Sequence, residues 1–576
     1  MRTTTQPAAA ASTDTQERSG SLLVSAFAVV CVLASTFALN PYGFGIGDQA
    51  ITIPFVKAWM NPGLYPADYL IAEKSHLYTL LWPALGLFAR HVPIRLETLF
   101  FVTYLSVLYA TFVTFAGFAR VVTGSAAAAL IAMFFLLFER TLLGGANTLD
   151  ASLLTRIVAL PLVFLALAWI VRERWIWAFA SLGFAFLIHP LNAVYAGTIA
   201  GVVMLARLGL RQPRTVLLSV AAFLVTAGPV IAWRLAASPG SLHAIVPPPG
   251  WLDILLVRSP HHAAPLAWGA DEYVEAAMVV VALVAMMGAR RWTEADRTMA
   301  IALMTLVSLW VVAVVFGGLL PVTTVVQLQL ARSTVIALYI ALAYYGGYLL
   351  DAARQDRRPA SLAVVVLVGL ALLLRAEGWP YALVSAGLLV LALAAHATLR
   401  RTAIRTWQVG AIVSSLTIGL ALGAWSKNEG VNEEVAGQAA WFDVQHWARE
   451  NTDVDAAFII PPSRTGFRVH SERTIYGDWK DGTQAFFNDQ FGRVWMRRMQ
   501  KLGYRDDLGV GGLGGLDRLD PGYRKLSPAQ VRLIAAELRP AGGPVFLVTF
   551  ADQDEDQFER VYRNRRFAVY RIEAFG

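Results

Sequence analysis

Charged residues are scarce in this chain and cysteine is almost absent. Lys, Arg, Asp and Glu make up 15% of 576 residues, and the single cysteine, Cys31, stands inside the first apolar run. A lone cysteine excludes a disulfide framework and a thiolate metal cluster. A soluble domain is usually nearer a quarter charged, so this polar complement is too thin to cover several water-exposed globules. That excludes a cytosolic enzyme and a nucleic-acid binder. Ten-residue segments of alternating polarity are also missing, which excludes an outer-membrane barrel. What is present is apolar: 56% of residues, with a mean hydropathy of +0.53. At about 20 apolar residues per bilayer crossing, the runs between Ser21 and Trp425 supply a dozen or so spans, and the chain reads as a multi-pass membrane protein.

The formal charge of +8 is unevenly placed. From Lys427 to Gly576 there are 21 Lys and Arg against 22 Asp and Glu, which leaves 27 against 18 for everything before. The excess therefore belongs to the membrane part, where it gathers at Arg120, at Arg172 and Arg174, and at Arg207 to Arg214. Further clusters stand at Arg290 to Arg297, Arg354 to Arg358 and Arg400 to Arg405. The positive-inside rule puts all six in the cytoplasm.

Spans are then expected at 21–39, 97–119, 122–138, 152–171, 175–189, 190–207, 214–236, 272–289, 298–320, 328–350, 361–375, 380–399 and 407–426. These are about 13 transmembrane helices. The first run has no A-x-A-like cleavage site and is long enough to span, so it reads as a retained anchor. An odd count, with tail 1–20 disordered and cytoplasmic, puts residues 427–576 outside the cell membrane on the opposite, extracytoplasmic face. His76 to Arg90 is apolar but short, and reads as a re-entrant or interfacial helix.

This topology collects the unusual polar residues on one face. The long first outer loop, 40–75, carries Asp48, Lys57, Asp68 and Glu73, with His76 at its end. Beyond it come Glu139, Arg140, Asp150 and Arg156, then His189-Pro190 at a tight turn between two apolar runs. The loop 237–271 holds His243, Asp253, His261, His262 and Asp271, and Arg332 opens a span after Gln327 and Gln329. An ionisable group at membrane depth usually faces a bundle interior or a wet cavity. An outward-facing polar cavity over an apolar bundle is the simplest reading. Against it, Arg156 and Arg332 could snorkel to headgroups, and His189 could satisfy carbonyls that Pro190 leaves unpaired. His261-His262 is a weak zinc signal without a fixed third ligand, and no metal or other cofactor is expected.

Asp48 follows a glycine-rich turn, Tyr42-Gly-Phe-Gly-Ile-Gly47, directly after the first span. Gln49 to Trp59 then alternates as an amphipathic interfacial helix would. A carboxylate there can act as general base on an acceptor hydroxyl, or simply cap the helix.

These segments resemble a known family. Gly45-Ile-Gly-Asp-Gln49, Leu64-Tyr-Pro-Ala-Asp68, Leu154-Thr-Arg156, Leu187-Ile-His-Pro190 and Gln329-Leu-Ala-Arg-Ser333 resemble a bacterial polytopic group within the GT-C superfamily of integral-membrane glycosyltransferases. The group carries a C-terminal extracytoplasmic domain, and the superfamily's donors are polyprenyl-phosphate-linked sugars. The resemblance implies a GT-C-like fold in the bacterial inner membrane, Asp48 as base or acceptor-positioning group, and Asp68 as a second acid. It also implies Arg156, His189 and Arg332 as ligands of the donor phosphate, and His76, at the end of the first outer loop, joins them as a substrate-binding candidate by its place on the same face. A paired-acid motif after Asp48 and a Trp-Trp-Asp tripeptide are both missing, which argues against protein N-glycosylation.

The tail reads as a small α/β domain. Helices are expected over 440–451, 484–502 and 528–538, and strands at 456–461, 467–470, 474–476, 544–550 and 567–572, forming a partly parallel sheet. No Gly-x-Gly-x-x-Gly follows a strand, so dinucleotide binding has little support. Pro461-Pro462, Gly466-Phe-Arg468, Ser471-Glu-Arg473 and Asp478-Trp-Lys480 resemble the tail signature of the same group. Arg468, Arg473 and Lys480 would then face the cavity and hold an anionic head group or a saccharide, with Trp479 stacking on a sugar. Their alternative is a set of ordinary salt bridges.

The expected function is transfer of a sugar from a polyprenyl-phosphate donor to an extracytoplasmic saccharide, lipid or protein by inverting displacement. A transporter or flippase would need paired repeats and access from both faces, and no repeat is evident. A non-catalytic scaffold would need no convergent site.

Overall fold

A computed structural model describes residues 7–209, 211–237, 245–354, 369, 372, 387–389, 405–428, 433–512, 514–538 and 542–572. The expected spans 361–375 and 380–399, apart from those isolated positions, and His243 lie outside the described residues.

Among the described residues, seven helices are long and apolar enough to cross a membrane. They are Gly20–Leu39, Leu96–Thr123, Pro190–Leu208, Pro213–Ala237, Glu294–Leu319, Thr323–Ala352 and Thr406–Trp425. Three shorter apolar helices, Ala126–Leu136, Thr155–Val171 and Trp175–Ile188, pack among them. Ala126–Leu136 has 11 residues, about 16 Å at 1.5 Å per residue. That is half a hydrocarbon core, yet all but Ala126 are buried. Protein surrounds the helix, so it needs neither bilayer length nor a polar stripe.

The two ends of the bundle differ. At one, Arg207 pairs with Glu294 and donates to Thr298 Oγ1 at 2.9 Å, Arg290 reaches the Val122 carbonyl, and Tyr344 donates to Asp296 at 2.6 Å. Here the basic clusters at 120, 207 and 290–297 meet. The other end carries Asp48, Arg156, His189 and Arg332, and onto it packs the C-terminal part.

The C-terminal part is built on five strands: β3 (Ala457–Ile459), β4 (Thr474–Ile475), β5 (Val545–Phe550), β6 (Glu559–Arg563) and β7 (Phe567–Ile572), after a small hairpin of β1 (Thr141–Leu142) and β2 (Ala146–Asn147) in the membrane part. Their order is β4-β3-β5-β7-β6. β3 pairs in parallel with β4 and β5, and β7 pairs antiparallel with β5 and β6, so the sheet is partly parallel as expected. β5 is buried along its whole length, which its unbroken apolar run Val-Phe-Leu-Val-Thr-Phe reflects.

Three local expectations are corrected. Residues 467–470 are not a strand: Phe467–Ser471 is a helical turn between Gly466 (φ 79°) and Glu472 (φ 54°), whose left-handed conformations bend the chain at both ends. The helix expected over 484–502 is a 3₁₀ turn, Lys480–Phe486, then a helix Asp489–Lys501, whose start is set by Asn488 Oδ1 accepting from the amides of Gln490 and Phe491. Strand β6 was hidden by its charged, exposed composition, as an edge strand's often is.

Helix Gln49–Met60 joins the two parts. It is not spread on a lipid surface: nine of its residues are buried. Ile53 and Val56 enter the bundle core, while Ile51, Phe55 and Ala58 enter the core around the C-terminal sheet. The following helix, Leu81–His91, is 11 residues long, too short to cross, and packs closely by Gly86, where a Cβ would stand 2.7 Å from the Val56 carbonyl. The protein is thus an α-helical polytopic membrane protein with a small C-terminal α/β part.

Candidate functional site

The glycine-rich turn sets Asp48. Gly45 (φ 81°) and Gly47 (φ 57°) take left-handed conformations. Gly43 N donates to the Ala151 carbonyl at 3.0 Å, and Gln49 spans from Gly45 N (2.8 Å) to the Leu153 carbonyl (3.1 Å). The turn is therefore pinned to the segment just before Arg156. Asp48 makes no side-chain capping bond, so the helix-cap reading does not hold. Its Oδ2 accepts from Arg156 Nη1 at 3.0 Å and its Oδ1 meets Lys480 Nζ at 2.7 Å, with 38% of the side chain open.

Arg156 is shared. Asp150 takes its Nε at 2.7 Å and its Nη2 at 2.5 Å, a two-pronged pair that fixes the guanidinium plane. Loss of hydration pushes the Asp48 carboxyl up, but Lys480 and Arg156 outweigh it and hold the group well below the usual carboxylate range.

Beside this chain of charges lies a pocket of about 380 Å³ including its mouth, lined by Asn147, Asp150, Arg156, His189, Asn192, Tyr195, Arg332, Tyr339 and the apolar Ala146, Ile157, Leu160 and Val335. His189 Nδ1 lies 3.1 Å from Thr155 Oγ1. Arg332 differs from Arg156: Nη1 donates to Gln329 Oε1 at 2.8 Å, and among the described residues no carboxylate pairs with it. Gln329 holds a left-handed conformation (φ 46°, ψ 47°), uncommon for a residue with a side chain. Tyr195 Oη braces that kink by donating to the carbonyls of Leu328 (2.7 Å) and Gln329 (2.9 Å).

Sequence reasoning missed what supports these groups. Gly144 (φ 76°) lies under Arg332, where a Cβ would stand 3.0 Å from Arg332 Cγ. Gly145 (φ 66°) lies under the histidine pair, where a Cβ would stand 2.9 Å from His261 Cδ2. Gly145→Ala combines that clash with a left-handed backbone, so it is expected to cost about 1–3 kcal/mol and to lower the thermal midpoint measurably. His262 Nδ1 bonds the Gly144 carbonyl at 2.7 Å. Burial, then the nearby Arg258, takes His261 down to about 4, and burial with Arg332 keeps His262 well below its usual value, so both rings are neutral. Among the described residues no group of three His, Cys, Asp or Glu side chains is arranged to hold a metal. Arg258 was also missed. Its Nε donates to the Trp479 carbonyl (2.9 Å) and its Nη2 to Thr483 Oγ1 (2.8 Å) and the Lys480 carbonyl (3.4 Å), clamping the turn that carries Lys480.

The remaining residues singled out in the sequence stand apart from the pocket. Asp68 is 3% exposed; its Oδ1 accepts from the amides of Leu70 and Ile71, and its Oδ2 from Arg468 Nε (2.7 Å) and Ile475 N (3.2 Å). Arg468 then grips Asp481 through Nη1 (2.8 Å) and Nη2 (3.2 Å). Arg473 is occupied by Thr452 and by the carbonyls of Arg449, Ser471 and Glu472. His76 lies beside Glu73, Nδ1 to Oε2 3.2 Å. Trp479 is fully buried against Trp495 and Tyr504 and donates to the Gly512 carbonyl, so it cannot stack on a sugar. The Asp478-Trp-Lys-Asp481 turn is thus divided: its acids face Arg468 and backbone amides, and Lys480 alone reaches Asp48.

Burial, with Asp481 beside it, pushes Asp478 up to about 7. A carboxyl whose folded pKa is raised loses stability as pH climbs from its unfolded value of about 4 through the folded one. The stability difference between Asp478→Asn and wild type is therefore expected to shift in the variant's favour between pH 4 and 7 and to level off above, read from urea unfolding at each pH.

Residues 439–502 match the model of a domain of unknown function, DUF6798. No curated protein matches the sequence significantly. Among solved structures, the chain is similar to the crystal structures of ArnT from Cupriavidus metallidurans, bound to undecaprenyl phosphate (TM-score 0.48) and in the apo state (TM-score 0.49). Each alignment has 13% identity and covers 96% of this chain and 97% of the other. It is also similar to the apo Archaeoglobus fulgidus oligosaccharyltransferase, with 12% identity, 92% of this chain, 69% of that chain and a TM-score of 0.40.

Proposed function

We propose that the protein is a membrane glycosyltransferase that moves a sugar from a polyprenyl-phosphate donor to a hydroxyl on an extracytoplasmic acceptor, with inversion. The observation that carries this reading is one partly open carboxylate, Asp48, paired with Lys480 and with Arg156, which itself lines a pocket together with Arg332, an arginine that no carboxylate pairs with among the described residues. Arg332 supplies a forked donor for the donor phosphate, and His189, Asn192 and Asn147 offer polar edges for the sugar. The acceptor oxygen forms a bond to the anomeric carbon as the bond from that carbon to the phosphate oxygen breaks. The acceptor proton goes to Asp48 and the electron pair leaves on the phosphate. Of the residues placed at the site by sequence pattern, Asp68 and Arg468 act from outside the pocket by holding the first loop and the tail together, Arg473 braces the tail internally, and His76 stands beside Glu73 within the loop.

In this reading the basic end of the bundle is cytoplasmic, tail 1–20 lies with it, and residues 427–576 are extracytoplasmic in the bacterial inner membrane. The distinction from a transporter rests on one-sidedness: the ionisable groups Asp48, Arg156, His189 and Arg332 gather at one end of the bundle, whereas transport requires access from both.

The test is mass spectrometry of lipid and envelope-glycan extracts from cells lacking the gene, restored with wild type or Asp48→Asn. Accumulation of a polyprenyl-phosphate sugar, or loss of a glycan decoration, reversed by wild type alone, supports the transferase. Extracts that stay the same while the protein is made would sink it.

A further inference from the structure

Asp48 as it stands is a poor base. Two cations hold it, and a carboxylate so paired takes a proton reluctantly. For Asp48 to accept the acceptor's proton, one of the cations has to leave.

The geometry says which one can. Arg156 is anchored independently of Asp48 by the two short bonds to Asp150, and its backbone carbonyl accepts from Asn192 Nδ2 at 3.2 Å. Lys480 is held differently. Its root is fixed, because Arg258 and Thr483 bond its carbonyl. Its ammonium pairs with Asp48 alone among the carboxylates of the described residues. A lysine has a flexible four-carbon stem that can swing about a fixed root, whereas a bidentate arginine cannot leave without breaking both prongs. The charges also balance. Asp48, Asp150, Arg156, Lys480 and Arg332 sum to one positive charge, which a singly charged phosphodiester neutralises. When Asp48 takes a proton and the phosphate leaves with a second negative charge, the sum is still zero.

Resting on the transferase reading above, we propose that the donor phosphate draws Lys480 from Asp48, so that Lys480 becomes the second ligand of the phosphate beside Arg332 and Asp48 is released as the base. Donor binding thereby switches on the base, and the C-terminal part contributes a phosphate ligand. Without donor, Asp48 stays neutralised and inert.

Binding of undecaprenyl phosphate as the probe to wild type, a single variant and a double variant of the full-length protein in lipid nanodiscs at pH 7.5 tests this. Asp48→Asn leaves Lys480 with no carboxylate to abandon, and is expected to bind the probe about tenfold more tightly than wild type, about 1.4 kcal/mol. Adding Lys480→Gln to Asp48→Asn is expected to lose that gain and weaken binding at least tenfold, at an unchanged thermal midpoint. Equal affinity of the single Asp48→Asn and the double variant would overturn the proposal, since Lys480 would then never reach the phosphate. If wild type and Asp48→Asn both fail to bind while remaining folded, the transferase reading itself falls, and this inference with it.

Discussion

Arg468→Met is expected to cost about 3–5 kcal/mol and to release the C-terminal part from the bundle. Arg468 is fully buried between Asp68 on the loop after the first span and Asp481 in the tail, and it bonds both within 2.8 Å. Removing it leaves two buried carboxylates without a counter-ion, and the penalty for that exceeds the pair's own net worth. Neighbouring bonds cross the same seam: Tyr65 Oη donates to the Arg468 carbonyl, Lys57 Nζ to the Val469 carbonyl, and Thr474 Oγ1 to the Pro66 carbonyl. They lose their geometry once the turn at 467–471 moves. The expected readouts are a lower thermal midpoint and faster proteolysis between the last span and the sheet. A partial reversal is expected when Asp68→Asn is added, because one orphaned charge is then gone. Unchanged stability in Arg468→Met would mean that water already reaches this network.

The same seam explains what could be read from sequence. Long apolar runs locate spans directly, so Leu96–Thr123, Pro190–Leu208 and Pro213–Ala237 fall within a few residues of the expected boundaries. Arg156, His189 and Arg332 drew notice because ionisable groups at span ends are costly, and all three line one pocket. A charge, however, carries no sign of what it faces. Asp68, Arg468 and Arg473 were read as facing a substrate, yet they face one another or backbone carbonyls, because pairing across distant segments leaves no local pattern. Gly144, Gly145, Tyr195 and Arg258 escaped notice for the same reason: their roles exist only where the hairpin 141–147, the loop 245–271 and the tail come together. The burial of Trp479 depends on Trp495 and Tyr504, and neither is a sequence neighbour.

Asp48→Asn is expected to lower the rate of the proposed sugar transfer by about 100- to 10,000-fold, the range for loss of a general base, while affinity for the lipid phosphate rises. The amide fits the same space and can still orient an acceptor hydroxyl, so a substrate-positioning role alone would leave much of the rate intact. It cannot take the proton. Affinity moves the other way, because the substitution removes a negative charge near the phosphate and frees Lys480, while Arg156 stays held by Asp150. The rate is read as the reappearance of the missing glycan decoration after induction in deletion cells. Arg332→Gln gives the complementary pattern, with lipid-phosphate binding lost first because Arg332 offers the pocket a guanidinium that no carboxylate competes for among the described residues. Opposite effects of the two variants on affinity would separate base from phosphate ligand. Parallel loss of binding in both would place Asp48 among the groups that hold the donor, and the proton would need another acceptor.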